Sequence, residues 1–432
     1  MKNYTVILFS LFCGFSININ AQQGIKMDTS FYSQALDSIR MVDIWLPSDY
    51  DSTDVDYPVI FYLHGAGGNQ NEGMDFANTY YDRYYEDTLH ADSVPPAIII
   101  SPDGSCQPYL GSFWVNSELY GNYEEYITTD VINFLESNFR VMNDKNFRFI
   151  TGYSMGGFGS TYLAIKHPEL FRGCAPSSAA HLSYPDTLMN EWIYRLHNEN
   201  GGYHFSYIAG PVSMLFFTVS GGFVPNLNIE PNHFELLWDT LGNFADTVFT
   251  KWQNFNCCNL INSIASEDRL SFFLTCGTND MYLCYPPYIE LSNSLENLGI
   301  DYQTYYHNKN HGIFDPVAHT KMSQWMDSLI AVSYSHVDIP ESLIPIRSSM
   351  QVYPNPFSTT TTIEYEFTTQ RNVHITIFNQ FGQQIEKLVQ GKNCESGIQQ
   401  YLWNASGLPN GVYFVQVRAG QEVSTRKIVK VN

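Results

Sequence analysis

A Gly-x-Ser-x-Gly motif at residues 152–156 constrains this chain more than any other feature of its sequence. An apolar run that predicts a short strand precedes the motif, and a helical pattern begins near Met155. A strand, a sharp turn with a serine at its tip and a helix together form a nucleophile elbow. The two glycines suit a strained turn that packs closely against neighbouring backbone. We therefore predict that Ser154 is a nucleophile rather than an ordinary turn residue.

Strands and helices alternate on both sides of this motif. Residues 57–63 and 97–100 are continuous apolar runs, as buried central strands are, and residues 123–139 carry apolar side chains at helical spacing. This alternation predicts an α/β fold with a mostly parallel central sheet and helices on both faces. Functional sites are then expected at the carboxyl ends of the strands.

The strand at 57–63 leads into a glycine-rich loop, His64–Gly68. No Lys-Ser or Lys-Thr pair follows the loop, which disfavours a phosphate-binding loop. An oxyanion loop is the better interpretation, because backbone N–H groups can approach a substrate oxygen there without obstruction by side chains. We expect the N–H groups of Ala66 and Met155 to form the oxyanion hole.

Candidates for the rest of a catalytic triad follow two later strands. Residues 270–276 predict a strand that ends shortly before Asp280, and residues 302–307 predict another before His311. Together with Ser154, these residues stand in the chain order of an α/β-hydrolase, nucleophile, acid and then histidine. In such a triad the histidine removes the serine proton, and the acid orients the imidazole and stabilises its charged form.

Other acids and histidines compete for these two roles. His311 is favoured because it lies in a loop beside Gly312, whereas the other histidines fall at a strand end or inside the closing helix. The competing residues are His307, His319, Asp268, Asp301 and Asp315.

The alternation of strands and helices is lost over residues 180–265. This region holds aromatic runs, several glycines and asparagines, and a helical pattern over residues 235–252. It predicts a lid or insertion over the site, which is the part of the chain best placed to set substrate choice.

The two ends of the chain and its charge bear on localisation and partners. Residues 1–21 predict a Sec signal peptide with its cut after Ala21, and no other segment is apolar enough to span a membrane in the mature chain. The formal net charge of -21 disfavours nucleic acid and anionic membranes as partners.

Of the eight cysteines, seven lie beyond the signal peptide, which contains Cys13. The spacing of these seven suggests no metal site, and because seven is an odd number, at least one thiol stays free.

Helical periodicity disappears near the C-terminus. Residues 336–350 read as a linker, and short alternating strands separated by turn pairs fill residues 351–432. This pattern predicts a small all-β sandwich. By pattern alone, the module could bind carbohydrate or be a structural appendage.

The motifs at residues 57–68, 152–157 and 167–171 resemble the esterase family that includes feruloyl and acetyl-xylan esterases, S-formylglutathione hydrolase and bacterial mycolyltransferases. The resemblance covers most of residues 30–332 and implies an α/β-hydrolase that uses the triad above and no cofactor. We expect this domain to span residues 22–335. Export favours plant-polysaccharide esters over a cytosolic glutathione thioester as substrates.

The C-terminal module carries a second resemblance. Residues 353–356, 377–382, 409–414 and 427–431 resemble the type A sorting domain of the type IX secretion system. The resemblance implies that the machinery of this system is a partner and that the protein passes from the periplasm across the outer membrane.

Together these features predict a secreted serine carboxylic-ester hydrolase that removes feruloyl or acetyl groups from plant polysaccharide. Two other functions remain open. One is a catalytically silent, surface-displayed carbohydrate-binding protein on the same scaffold. The other is an acyltransferase, in which a sugar hydroxyl rather than water takes the acyl group.

Overall fold

The structure is a computed structural model in which the described residues form two units. The predicted signal peptide with its cut after Ala21, and nearly all of the predicted linker, lie outside these residues. The described ranges are 24–86, 96–184, 186–206, 208–264, 270–312, 315–336, 350–367, 370–379, 383–419 and 422–431. The first unit ends at residue 336 and the second begins at residue 350.

The first unit alternates strands with helices. Its strands are β1 (Ile25–Ser33), β2 (Ser38–Leu46), β3 (Val59–Leu63), β4 (Ile98–Pro102), β5 (Asn116–Ser117), β6 (Gly121–Asn122), β7 (Arg148–Tyr153), β8 (Gly173–Ser177), β9 (Ser271–Gly277) and β10 (Tyr302–His307). Its helices are α1 (Gly73–Glu86), α2 (Tyr123–Glu125), α3 (Ile132–Asn138), α4 (Met155–Lys166), α5 (Asp186–Asn200), α6 (Pro211–Phe223), α7 (Asp246–Trp252), α8 (Cys257–Leu260), α9 (Tyr285–Leu298) and α10 (Pro316–His336).

Eight of these strands form one sheet, in the order β1-β2-β4-β3-β7-β8-β9-β10. The strands from β4 to β10 in this order are parallel, and β1 and β2 join antiparallel at one edge. The strands β3, β4, β7 and β9 are buried along their whole length, as strands covered by helices on both faces should be. The predicted α/β fold with a mostly parallel sheet is confirmed. The carboxyl ends of β3, β7, β9 and β10 lie at the same edge of the sheet.

The helix predicted over residues 123–139 is present with an irregular middle. A π-helical stretch, Tyr126–Val131, joins α2 to α3. The apolar residues that gave the helical pattern, such as Ile127 and Val131, are fully buried in the core. The pattern therefore identified the buried face but not the change in helical pitch.

The described part of residues 180–265, the predicted insertion, contains α5, α6, α7 and α8. The helix predicted over residues 235–252 is wrong in its first part. Helix α7 begins only at Asp246. The residues before it form a turn in which the carboxylate of Asp239 accepts hydrogen bonds from the N–H groups of Leu241 and Asn243. Gly242 has a φ of +82° there, which a continuing helix cannot accommodate.

The second unit consists of antiparallel strands. They are β11 (Gln351–Tyr353), β12 (Thr360–Phe367), β13 (Arg371–Asn379), β14 (Gln384–Cys394), β15 (Gly397–Asn404), β16 (Gly411–Ala419) and β17 (Glu422–Lys430). Within the described ranges they form two sheets, β11-β12-β15 and β14-β13-β16-β17. Side chains from both sheets share one core, in which Ile363 and Trp403 of the first sheet pack with Ile375 and Val415 of the second. The predicted all-β fold is confirmed, although the sequence pattern did not reveal β11 or β15.

Across the described parts of the chain, no helix combines the length and the apolar character needed to span a bilayer.

Candidate active site

The candidate nucleophile Ser154 lies between the end of β7 and the start of α4. Its φ of 55° and ψ of -112° are unusual for a residue other than glycine. The turn packs closely against β3, because a Cβ on Gly156 would lie 1.8 Å from the carbonyl oxygen of Leu63. A Cβ on Gly152 would lie 2.4 Å from the carbonyl oxygen of Gly156. The glycines therefore permit a close turn that holds the serine at the sheet edge.

Asp280 and His311 form a hydrogen-bonded pair. The Nδ1–H group of His311 donates to Oδ2 of Asp280 over 2.6 Å, and the N–H group of Tyr282 donates to Oδ1 over 2.9 Å. Because a carboxylate only accepts hydrogen bonds, Nδ1 carries the proton, and Nε2 is left as the basic nitrogen of the neutral ring. The rings of Tyr153 and Tyr282 contact the imidazole, with centroids at 4.9 and 4.7 Å.

The sheet brings the three predicted residues to one edge. Ser154 follows β7, Asp280 follows β9 and His311 follows β10, and these strands run parallel. Tyr153, the neighbour of Ser154, lies against the ring of His311. Among the described residues, the hydroxyl of Ser154 makes no hydrogen bond to His311. Such catalytic hydrogen bonds often form only when substrate is bound.

His64 anchors the predicted oxyanion loop. Its Nδ1–H group donates to the carbonyl oxygen of Gly65, and its Nε2 accepts from the N–H group of Gly104, both over 2.8 Å. The bond that Nε2 accepts requires a neutral ring, and burial lowers the pKa of His64 to about 4. The N–H group of Gly67 donates to the carbonyl oxygen of Leu110 over 2.5 Å. The loop is thereby tied to the segment that follows β4.

Glu72 holds the same loop from the other side. Its Oε2 accepts a hydrogen bond of 2.8 Å from the N–H group of Gly65, and burial raises the pKa of this carboxyl. Within the described chain, the N–H groups of Ala66 and Met155 have no acceptor. Met155 is the first residue of α4, where N–H groups lack helical partners and favour an anion. These two donors are therefore available to a substrate oxygen.

The competing acids and histidines occupy other positions. His307 faces Asp315, with 3.7 Å between Nε2 and Oδ2. His319 is buried inside α10, where burial lowers its pKa to about 4. Asp301 precedes β10 and so lies at the opposite edge of the sheet, and Asp268 lies outside the described residues.

Asp280, Cys284 and His311 place three groups of metal-ligand type within 4.8 Å of one another. Their chemistry fits hydrogen bonding better than metal binding. Nδ1 of His311 is already bonded to Asp280, and burial raises the pKa of the Cys284 thiol well above its usual range, so that the thiolate a metal needs is disfavoured. All seven cysteines of the described chain are free thiols.

Sequence reasoning missed two side chains that support this site, Glu72 and Asn310. The side-chain oxygen of Asn310 accepts hydrogen bonds from the N–H groups of Met281 and His311. Neither residue belongs to a motif, and their roles depend on backbone groups brought close by the fold. Their nearness in sequence to the glycine-rich loop and to His311 is the only signal that could have pointed to them.

Two family models match the chain. Residues 33–333 match the model described as "Putative esterase", and residues 351–431 match the model described as "Secretion system C-terminal sorting domain". Both resemblances inferred from the sequence are thereby confirmed.

Individual relatives match shorter stretches. "Esterase Rv1288" of Mycobacterium tuberculosis is 30% identical over 159 residues, which are 37% of this chain and 32% of that protein. "Probable feruloyl esterase C" of Aspergillus niger is 32% identical over 147 residues, or 33% of this chain and 48% of that protein. The chain thus spans less than half the length of either relative.

Among solved structures, a ferulic acid esterase is similar with a TM-score of 0.49 and 18% identity, covering 72% of this chain and 98% of its own. The first family model covers well over half of the chain, and the second covers its last domain. The C-terminal module is a type IX secretion sorting domain, which indicates export to the cell surface or the medium. This protein therefore belongs to the esterase family.

Proposed function

We propose that this protein is a secreted serine carboxylic-ester hydrolase in which Ser154, Asp280 and His311 form the catalytic triad. The observation that carries the proposal is the His311–Asp280 hydrogen bond of 2.6 Å at the sheet edge where Ser154 sits in a strained turn. The orphan N–H groups of Ala66 and Met155 support it, because they supply an oxyanion hole beside the nucleophile.

The mechanism follows from the roles of these atoms. His311 Nε2 accepts the proton of Ser154 as Oγ attacks the ester carbonyl carbon, and Asp280 stabilises the imidazolium that results. The N–H groups of Ala66 and Met155 stabilise the tetrahedral oxyanion, at about 3 kcal/mol per donor. The imidazolium then protonates the leaving alcohol, and an acyl-enzyme remains. Water attacks this intermediate with His311 as base, which releases the acid and restores the serine.

Feruloyl or acetyl esters of plant polysaccharide are the proposed substrates. A relative from Aspergillus niger is named a feruloyl esterase, and one from Xylanibacter ruminicola is named an endo-1,4-beta-xylanase/feruloyl esterase. An exported enzyme meets such esters outside the cell. The long aromatic-rich insertion is the part of the unit that we expect to select the acyl group.

Active-site labelling tests the mechanism. A fluorophosphonate should label the wild type at Ser154, and Ser154→Ala and His311→Ala should lose labelling and at least about 10³-fold of ester cleavage. His307→Ala is the matched control, because His307 lies at the end of β10, the strand that precedes His311, but faces Asp315. This variant should keep both the labelling and the ester cleavage.

The outcome also separates the alternatives. A folded wild type that takes no label would contradict the esterase and leave the silent carbohydrate-binding protein. A labelled enzyme that transfers its acyl group to sugar in preference to water would instead be an acyltransferase. A panel of methyl ferulate, acetylated xylan and short-chain aryl esters identifies the acyl group.

We further propose that residues 351–432 bring the enzyme to the type IX secretion machinery. Removal of these residues should leave an active enzyme in the periplasm, and fractionation of cells and medium measures this. Release of the truncated enzyme at the normal level would refute the proposed partner.

A further inference from the structure

Two loops carry the acid and the histidine, and the side chain of Asn310 bonds to the backbone of both. The acid loop is residues 278–284, and the histidine loop is residues 308–312. Oδ1 of Asn310 accepts a hydrogen bond of 2.7 Å from the N–H group of Met281 and one of 2.6 Å from the N–H group of His311. The oxygen therefore contacts the backbone of the residue after Asp280 and the backbone of His311 itself.

The two loops approach each other closely around this oxygen. A Cβ on Gly277 would lie 2.2 Å from the carbonyl oxygen of Lys309, and the N–H group of Thr278 donates to the carbonyl oxygen of His307 over 2.7 Å. These contacts hold the strand ends of β9 and β10 together. Further along the loops, Nδ2 of Asn279 donates to the carbonyl oxygen of Asn308 over 2.8 Å. Asn310 is the side chain that bonds to the backbone immediately beside the hydrogen-bonded acid and histidine.

We propose that Asn310 is a positioning residue that holds the His311 imidazole in line with Asp280. This inference rests on the proposed function, because it gives Asn310 a role in the same triad. Asn310 acts through the two backbones and does not contact the reacting atoms. Small displacements of a catalytic group lower its efficiency strongly, so a side chain that fixes the separation of the two loops affects the rate.

Because Asn310 is exposed, its substitution should affect the position of His311 more than the stability of the fold. The residue is exposed, so water can replace the two hydrogen bonds that its removal would break. The site needs only an acceptor at this position, because both partners are N–H donors. Aspartate supplies the same acceptor, whereas alanine supplies none.

The test compares Asn310→Ala with Asn310→Asp in the full mature chain. With p-nitrophenyl acetate as substrate, Asn310→Ala should lower kcat about 10- to 100-fold with little change in KM, and Asn310→Asp should restore most of the loss. Asn297→Ala is the matched control, since Asn297 is exposed on α9 and makes no side-chain hydrogen bond in the described chain; it should behave as the wild type. The urea midpoints of all variants should agree closely.

Proton NMR supplies a readout that does not depend on turnover. The downfield resonance of the His311 Nδ1–H proton should be sharp in the wild type and Asn310→Asp, and shifted or broadened in Asn310→Ala. An unchanged resonance and an unchanged kcat in Asn310→Ala would overturn the inference. If the wild type takes no fluorophosphonate label, the proposed function fails, and the resonance alone then decides whether Asn310 orders the pair.

Discussion

Two buried histidines in this molecule, His64 in the predicted oxyanion loop and His181 in the predicted insertion, have similar burial and different surroundings. Both are almost fully buried, and burial lowers the pKa of His64 to about 4 and that of His181 to about 3. His64 uses both ring nitrogens to join Gly65 to Gly104. Neither nitrogen of His181 has a hydrogen-bond partner among the described residues. The same residue type therefore holds backbone in one region and fills space in the other.

The surroundings of His181 show how the insertion is held together. Its ring lies in a cluster of aromatic side chains, with centroids 4.6 Å from Trp192 and 5.9 Å from Trp252. The hydroxyl of Tyr184 and the indole N–H of Trp252 in this cluster also lack partners in the described chain. Aromatic packing thus stabilises the insertion and offsets unpaired polar groups, each of which costs about 1–3 kcal/mol. In residues 64–72, which we call the oxyanion region, the side chains of His64 and Glu72 bond to backbone groups instead.

We expect the largest difference in stability between alanine variants of Gly156, in the elbow, and Gly222, in the insertion. In Gly156→Ala the new Cβ would meet the carbonyl oxygen of Leu63 at 1.8 Å, and backbone cannot move aside, so we expect a loss of about 3 kcal/mol or more. In Gly222→Ala, on α6 of the insertion, the nearest atom is 3.4 Å away, and alanine should stabilise the helix by about 0.5–1 kcal/mol. Urea unfolding of both variants measures the difference. Equal midpoints would show that the elbow is less constrained than its geometry indicates.

The same substitution at the two histidines should also differ. His64→Phe leaves the N–H group of Gly104 buried without a partner and leaves the carbonyl of Gly65 with only the N–H group of Gly68, so we expect a loss of about 1–3 kcal/mol together with most of the esterase activity. His181→Phe keeps an aromatic ring and removes two unpaired nitrogens, so stability should stay within about 1 kcal/mol of the wild type. Chemical denaturation and ester cleavage measure both. An equal loss in both variants would mean that His181 has partners that aromatic packing does not supply.

The pH dependence of unfolding sharpens this contrast. The pKa of each histidine is lower in the folded chain than its usual 6.5, so the unfolded chain binds more protons between these values. The free energy of unfolding is therefore highest above pH 6.5. It falls as the pH drops below this value, by about 2 kcal/mol per histidine at pH 5. His181→Phe should lose less stability than the wild type between pH 7 and pH 5. Parallel stability curves would show that His181 is not neutral in the folded protein.

The contrast between the regions also explains what the sequence could predict. Ser154 follows a strand, and the glycines beside it belong to the same short segment, so local pattern was sufficient for the elbow. The insertion is ordered by aromatic contacts between distant residues, and such contacts leave no periodic pattern in the sequence. The helix predicted over residues 235–252 is wrong in its first part, because the carboxylate of Asp239 bonds to the N–H groups of its own turn. Asn310 was missed for a similar reason, since its partner Met281 lies 29 residues away.

The smallest expected effect tests whether the oxyanion region needs a hydrogen bond or a charge at Glu72. Glutamine at this position keeps an oxygen that accepts from the N–H group of Gly65 and removes the negative charge. Burial raises the pKa of Glu72, which means that the folded protein disfavours the ionised carboxyl. Glu72→Gln should therefore be as stable as the wild type or slightly more stable at pH 7, by less than about 1 kcal/mol. This advantage should disappear as the pH falls and Glu72 takes up its proton.

Glu72→Gln should also raise the rate of ester cleavage. In the proposed mechanism, a carboxylate beside the predicted oxyanion loop opposes the charge that develops on the substrate oxygen, so its removal should raise kcat about two- to fourfold at pH 7, equivalent to less than 1 kcal/mol. Glu72→Ala is the control, because it removes the acceptor as well and should lower kcat. If Glu72→Gln lowers kcat as much as Glu72→Ala does, the charge itself orders the loop, and the oxyanion region depends on an ionised group rather than on paired neutral ones.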